Sequence, residues 1–211
     1  DGDASANISI RYCEIVDNTG IGINFAVDSG ISNVPFVGIE HNQIDRNTGG
    51  GISLQALYTT ISSNSIVQNG NATGIGGLSV SYNGTAGRYS VIEHNQFDTN
   101  APYHILIGAG VNHIIRSNEF RSNTATPPPG GGYTPDTHII VGDGSHTPVN
   151  TTVDQNTIQT VPASPLVATT FLKIRAGASF TRAFNNYAVA FGGANAIMYE
   201  DNSTTSVITE D

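Results

Sequence analysis

His104 and His138 each open a short strand of one pattern, His104-Ile105-Leu106-Ile107 and His138-Ile139-Ile140-Val141. Phe171-Leu172-Lys173-Ile174 continues the pattern, with Arg175 directly behind it. Side chains alternate between the two faces of a strand. With Ile105 and Ile107 facing a core, His104, Leu106 and Gly108 are expected on the outer face. The same rule sends His138, Ile140 and Gly142 outward, then Phe171, Lys173 and Arg175, then Asn195, Ile197 and Tyr199. Asp143, Glu200 and Asp201 fall at strand ends, and Tyr133 stands in a loop that would fold over them. Paired imidazoles can bind hydroxyls or act as acid and base, and Lys173 and Arg175 can hold a carboxylate. His104, His138, Lys173 and Arg175 are therefore the expected catalytic groups, with Asp143, Tyr133, Tyr199 and Glu200 as ligand contacts. Solvated polar residues on a β-face would give the same pattern. The cluster stands out because only 12% of the chain is charged.

A second set of ionisable groups reads differently. Arg11, Glu40, Ser62, Glu93, Arg116 and Asp154 occupy one position of a repeat, and Asp98 neighbours Arg121 in another. Glu40 and Glu93 fall two coils apart, ~10 Å by strand spacing, near the carboxylate separation of an inverting glycosidase. Each has an arginine on an adjacent coil, so exposed ion pairs are expected instead. His41 and His94 share a column but stand too far apart to share a metal ion.

The positioning element is a nonapeptide. Ile39-Glu40-His41-Asn42-Gln43-Ile44-Asp45-Arg46-Asn47 returns as Ile92-Glu93-His94-Asn95-Gln96-Phe97-Asp98-Thr99-Asn100. Its template is an apolar residue, Asn three later, an apolar residue two further on, and a second Asn three after that. Ile61, Asn64, Ile66 and Asn69 fit it, as do Ile115, Asn118, Phe120 and Asn123. Val153, Asn156 and Ile158 fit three places, Cys13 replaces the first Asn between Ile10 and Ile15, and Ala183, Asn186 and Ala188 make a weak last copy. Copies recur roughly 22 to 38 residues apart, the range of coiled repeats. Each is followed by a third apolar strand such as Gly51-Ile52-Ser53-Leu54 or Gly77-Leu78-Ser79-Val80. Three short strands per repeat without a helical period predict an all-β, right-handed parallel β-helix of about seven coils. Asn42, Asn64, Asn95, Asn118 and Asn156 should form an internal hydrogen-bonded ladder. Asn also tolerates the left-handed backbone of a tight turn, and Cys13 should be buried at the ladder's end.

In this repeat the chain resembles the pectate-lyase-like superfamily of right-handed β-helices, which includes polysaccharide lyases, glycoside hydrolases, epimerases and phage tailspikes. The resemblance implies a polysaccharide ligand and an extracellular, cell-surface or virion location. The superfamily's catalytic signatures are missing. There is no Asp-Asp pair with Gly-His-Gly and Arg-Ile-Lys segments. Lys173-Ile174-Arg175 runs in the reverse order. No clear Asp cluster marks a calcium site, and Gly142-Asp143-Gly144 is too short to name one, so no cofactor is expected, with calcium the one left open. A depolymerising enzyme, a non-catalytic glycan-binding or adhesion module, and a rigid spacer all remain open. Long inserts beside one strand column, such as Pro127-Pro128-Pro129-Gly130-Gly131-Gly132, argue against the spacer.

Composition narrows the class. The 211 residues suit one domain, and a 38% hydrophobic content with regular Ile placement excludes a disordered chain. The net charge of −9 with eight Lys and Arg leaves no basic stripe for nucleic acid. No apolar run is long enough to span a membrane, and one Cys excludes an internal disulfide. Neither terminus offers a cap for a solenoid. The chain is therefore expected to be part of a longer β-helix, or an oligomer such as a homotrimer.

Overall fold

A segment such as Ile39-Glu40-His41-Asn42-Gln43-Ile44 cannot run straight, because His41 takes a left-handed backbone with φ of 57°. The same bend recurs at Tyr12, Ser63, His94, Ser117, Gln155 and Asn185. Each turns a strand of one sheet into a strand of the next. The computed structural model of the chain describes residues 7–25, 36–56, 58–71, 74–81, 89–122, 137–160, 170–190 and 197–209. Their strands stack into three parallel sheets.

The first sheet contains Asn7–Arg11, Phe36–Glu40, Tyr58–Ser62, Tyr89–Glu93, Ile114–Arg116, Thr152–Asp154, Arg182–Phe184 and Val207–Ile208. The second contains Glu14–Val16, Gln43–Asp45, Ser65–Val67, Gln96–Asp98, Glu119–Ser122, Thr157–Thr160 and Tyr187–Ala190. The third contains Ile21–Phe25, Gly50–Leu54, Leu78–Val80, Tyr103–Ile107, Thr137–Val141, Thr170–Ile174 and Ile197–Asp201. Each coil visits the sheets in this order, so every strand pairs with its counterpart one coil away. Register follows the template. Ile39, Ile61, Ile92, Ile115 and Val153 stack in the first sheet, and Ile44, Ile66, Phe97, Phe120 and Ile158 in the second. All ten are fully buried, and each contributes roughly 1.5–3 kcal/mol of hydrophobic stabilisation.

The predicted ladder is present. The Oδ1 of Asn95 accepts from the N and Nδ2 of Asn64 at 2.9 and 3.0 Å. Both nitrogens of Asn95 donate to Asn118 Oδ1 at 3.0 Å, and Nδ2 also donates to the Ile61 carbonyl at 2.8 Å. The same bonds link Asn42 to Asn64, Asn118 to Asn156, and Asn156 to Asn186. Asn186 thus belongs to the ladder despite its weak template.

Two details differ from expectation. The left-handed residue is the one before each ladder Asn, at ~1–2 kcal/mol for a side chain with Cβ. The Asn serves instead to fix the turn from inside. Cys13 is exposed. Its backbone N–H donates to Asn42 Oδ1 at 3.0 Å, so the peptide rather than the thiol continues the ladder.

A second ladder runs along the next corner through Asn18, Asn47, Asn69 and Asn100, with Nδ2 to Oδ1 distances of 2.7, 2.9 and 3.0 Å. These are the second Asn sites of the template. Gly22, Gly51 and Gly77 lie against it. A Cβ at Gly22 would approach Asn47 Nδ2 to 2.9 Å, and one at Gly77 would approach the Asn100 side chain to 3.0 Å. The ladder fits only because these glycines carry no side chain.

Candidate functional site

The third sheet was expected to present His104 and His138 to solvent. Ile105 and Ile107 do face the core, and Leu106 is half-buried on the outside. His104 and His138, however, are fully buried. Their rings stack at 4.8 Å and 6°, with Phe120 tilted against both. The cause is the corner. His104 and His138 take the place that Gly77 holds one coil earlier, which points at the second ladder rather than outward. Strict alternation therefore fails at the first inward position of this strand.

The pair has the chemistry of a core. Asn100 Nδ2 approaches His104 Nδ1 at 3.1 Å, so Nδ1 accepts and the ring is neutral with its proton on Nε2. Burial holds the His104 pKa well below its ordinary value, helped by the neighbouring His138, while the Arg121 carbonyl opposes this. Burial alone lowers His138 to about 3. His113 is a third buried imidazole. It lies 3.0 Å from the Ala109 carbonyl and is lowered to about 4 by burial, which that carbonyl partly offsets.

Tyr199 also turns inward. Its ring meets Phe171 edge-on at 6.1 Å and packs on the core. Phe171 itself is fully buried, contrary to its outward assignment. Tyr133 lies outside the described residues.

The remaining predicted groups do reach the surface. Lys173 and Glu200 are paired in register on neighbouring strands, after Leu106 and Ile140 in the same outer column. Their charged ends meet at 2.8 Å, and this bond, with help from Asn202, lowers the Glu200 pKa against a smaller effect of burial. Arg175 Nη1 donates to the Asp143 carbonyl at 3.1 Å. Among the described residues Arg175 has no ion-pair partner.

Asp143 organises the turn after its strand. Its Oδ1 accepts from the N–H of Ser145 and of His146, and its Oδ2 lies 2.8 Å from His146 Nδ1. Burial opposes ionisation of Asp143, but these three bonds outweigh it and its pKa falls. Sequence reasoning missed His146. The signal was available in Asp143-Gly144-Ser145-His146, because Asp before Gly marks a side-chain-capped turn that brings the fourth residue back onto the carboxylate. An imidazole held through Nδ1 keeps Nε2 for a ligand proton.

The charge column of the first sheet behaves as expected. Arg11 pairs with Glu40 at 3.0 Å and Arg116 with Glu93 at 2.7 Å. Arg121 lies beside Asp98 in register but bonds Glu119 at 2.7 Å. On the second sheet Arg46 bridges Asp17 at 2.7 Å and also bonds Asp45. Among the described residues no three His, Cys, Asp or Glu side chains gather in a way that could hold a metal ion, and no helix is long and apolar enough to cross a membrane.

Comparison with curated proteins and with solved structures finds no match. A family profile for the right-handed β-helix region matches residues 3–158, which carry both nonapeptide copies, the first asparagine ladder as far as Asn156, the second ladder and the buried histidine stack. The chain belongs to the right-handed β-helix family.

Proposed function

We propose that this β-helix binds a polysaccharide along the outer edge of the third sheet, around Arg175, Lys173, Glu200, Asp143 and His146. The observation that carries this is the convergence of these groups from three successive coils in a chain poor in charge. The resemblance to pectate-lyase-like β-helices points to carbohydrate, and these side chains supply both donors and acceptors for a hydroxyl-rich polymer. Arg175 is the group for an acidic sugar, because its guanidinium fork suits a carboxylate. Such a role fits an extracellular, cell-surface or virion setting.

A second reading has one observation in its favour. The Asp143–His146 pair orients an imidazole as acid–base catalysts require, so cleavage would be sited there and not at His104 or His138. Incubation with neutral and acidic polysaccharides, followed by mass spectrometry and a binding assay, separates the two. Bound but intact polymer, with affinity lost in Arg175→Ala, supports binding alone. Shortened chains with unsaturated or hydrated ends that vanish in His146→Gln support cleavage. Neither binding nor cleavage of any polymer overturns both.

A further inference from the structure

The outer face of the first sheet carries a column of aromatic rings. Phe36, Tyr58 and Tyr89 are in register on adjacent coils and are 39%, 52% and 36% exposed. Single exposed aromatics are ordinary, but three aligned on a rigid ladder are a surface. They span two coil spacings, ~10 Å by strand geometry. The next outward column, two residues along each of these strands, is Gly38, Thr60 and Val91, continued by Ser9 one coil earlier, and the one beyond is Arg11, Glu40, Ser62 and Glu93. Phe36 and Glu40 lean over Gly38 from opposite sides, since a Cβ there would lie 3.5 Å from the Phe36 ring and 3.5 Å from Glu40 Oε1.

We propose that this face is a second glycan-binding surface, with the chain of a neutral polysaccharide lying parallel to the solenoid axis over Gly38, Thr60 and Val91. The arrangement suits that ligand in three ways. A pyranose has an apolar C–H face, which the negative face of an aromatic ring attracts. Its rim of hydroxyls would meet Glu40, Ser62 and Glu93 on the other side of the floor. Both arginines of that column are already paired, Arg11 with Glu40 and Arg116 with Glu93, so neither is left to attract an anionic ligand. A protein partner fits poorly, because protein interfaces place apolar groups at the centre and polar groups around them. Here the aromatic rings form one edge and Glu40, Ser62 and Glu93 form the other. The surface shares only the ligand class with the site at Arg175, and the two lie on different sheets.

The test uses cellohexaose and laminarihexaose as neutral probes, read by saturation-transfer NMR and by calorimetry on the whole chain. Binding should be roughly ten-fold weaker in Tyr58→Thr, the size expected for one ring contact, and retained in Tyr58→Phe. Threonine keeps the strand preference of the position, so an unchanged melting temperature separates a lost contact from a lost fold. Tyr58→Thr should leave acidic-polymer binding around Arg175 unchanged, which keeps the two surfaces distinguishable. Failure of both probes to bind, or equal affinity in Tyr58→Thr, would overturn the proposal. So would self-association of the wild-type chain that Tyr58→Thr abolishes, since the surface would then bind a second copy.

Discussion

The corner between the second and third sheets is built in two ways along one solenoid. In the early coils Asn47, Asn69 and Asn100 fill it, bonded to one another and pressed against Gly22, Gly51 and Gly77. In the later coils His104, His138 and Phe171 fill it, the two imidazoles stacked and Phe97 and Phe120 tilted or edge-on against the column. The first solution satisfies polar groups and needs glycine opposite. The second excludes water with flat rings and needs bulk opposite. Asn100 joins them by donating to His104. The histidines thus extend a structural corner, and chemistry is left to groups outside it.

Breaking the polar ladders should have the largest effect. Asn95→Ala strands donors and acceptors on two neighbouring coils and should lower stability by ~3 kcal/mol, read from urea denaturation. A loss below the error of that measurement would contradict the ladder. At the junction Gly77→Ala places a methyl 2.8 Å from the His104 carbonyl and 3.0 Å from Asn100. Overpacking there should cost ~2 kcal/mol, and a neutral result would mean the corner is looser than described.

The aromatic half should show itself through pH. The buried histidines are neutral when folded, with His138 lowered to about 3 and His113 to about 4. In the unfolded chain they protonate near pH 6.5. The unfolded state therefore binds more protons below that pH, and stability falls on acidification from about pH 6.5 toward those values. Melting temperatures should drop between pH 7 and pH 5, less steeply in His138→Phe than in the wild type. Parallel curves would contradict burial of His138. The smallest effect belongs to the surface. Arg175→Ala should change stability by no more than ~0.5 kcal/mol while weakening acidic-polymer binding.

The fold was legible because its signal is periodic. Ile39, Ile61 and Ile92 recur with an Asn three residues later, and that spacing fixes coil, corner and register together. The site was less legible, for a local reason. Alternation gave the correct faces for Ile105, Leu106 and Lys173 but failed at His104, His138 and Phe171. There the strand leaves a corner and two consecutive residues turn inward. The position already held Gly22, Gly51 and Gly77, a hint that it faces something crowded. Tyr199 followed the register of inward-facing Leu172, so its inward turn could have been read from that column. His146 escaped notice because its partner lies three residues away within a turn rather than across the sheet.

The most direct test replaces His138 by phenylalanine, the residue that already stands one coil further at Phe171. Polysaccharide binding and any turnover of His138→Phe should then be measured beside its acid stability. The expected result is a folded protein with wild-type polymer affinity and improved stability at pH 5. A folded variant that has lost binding or cleavage would contradict it and return the function to the buried pair.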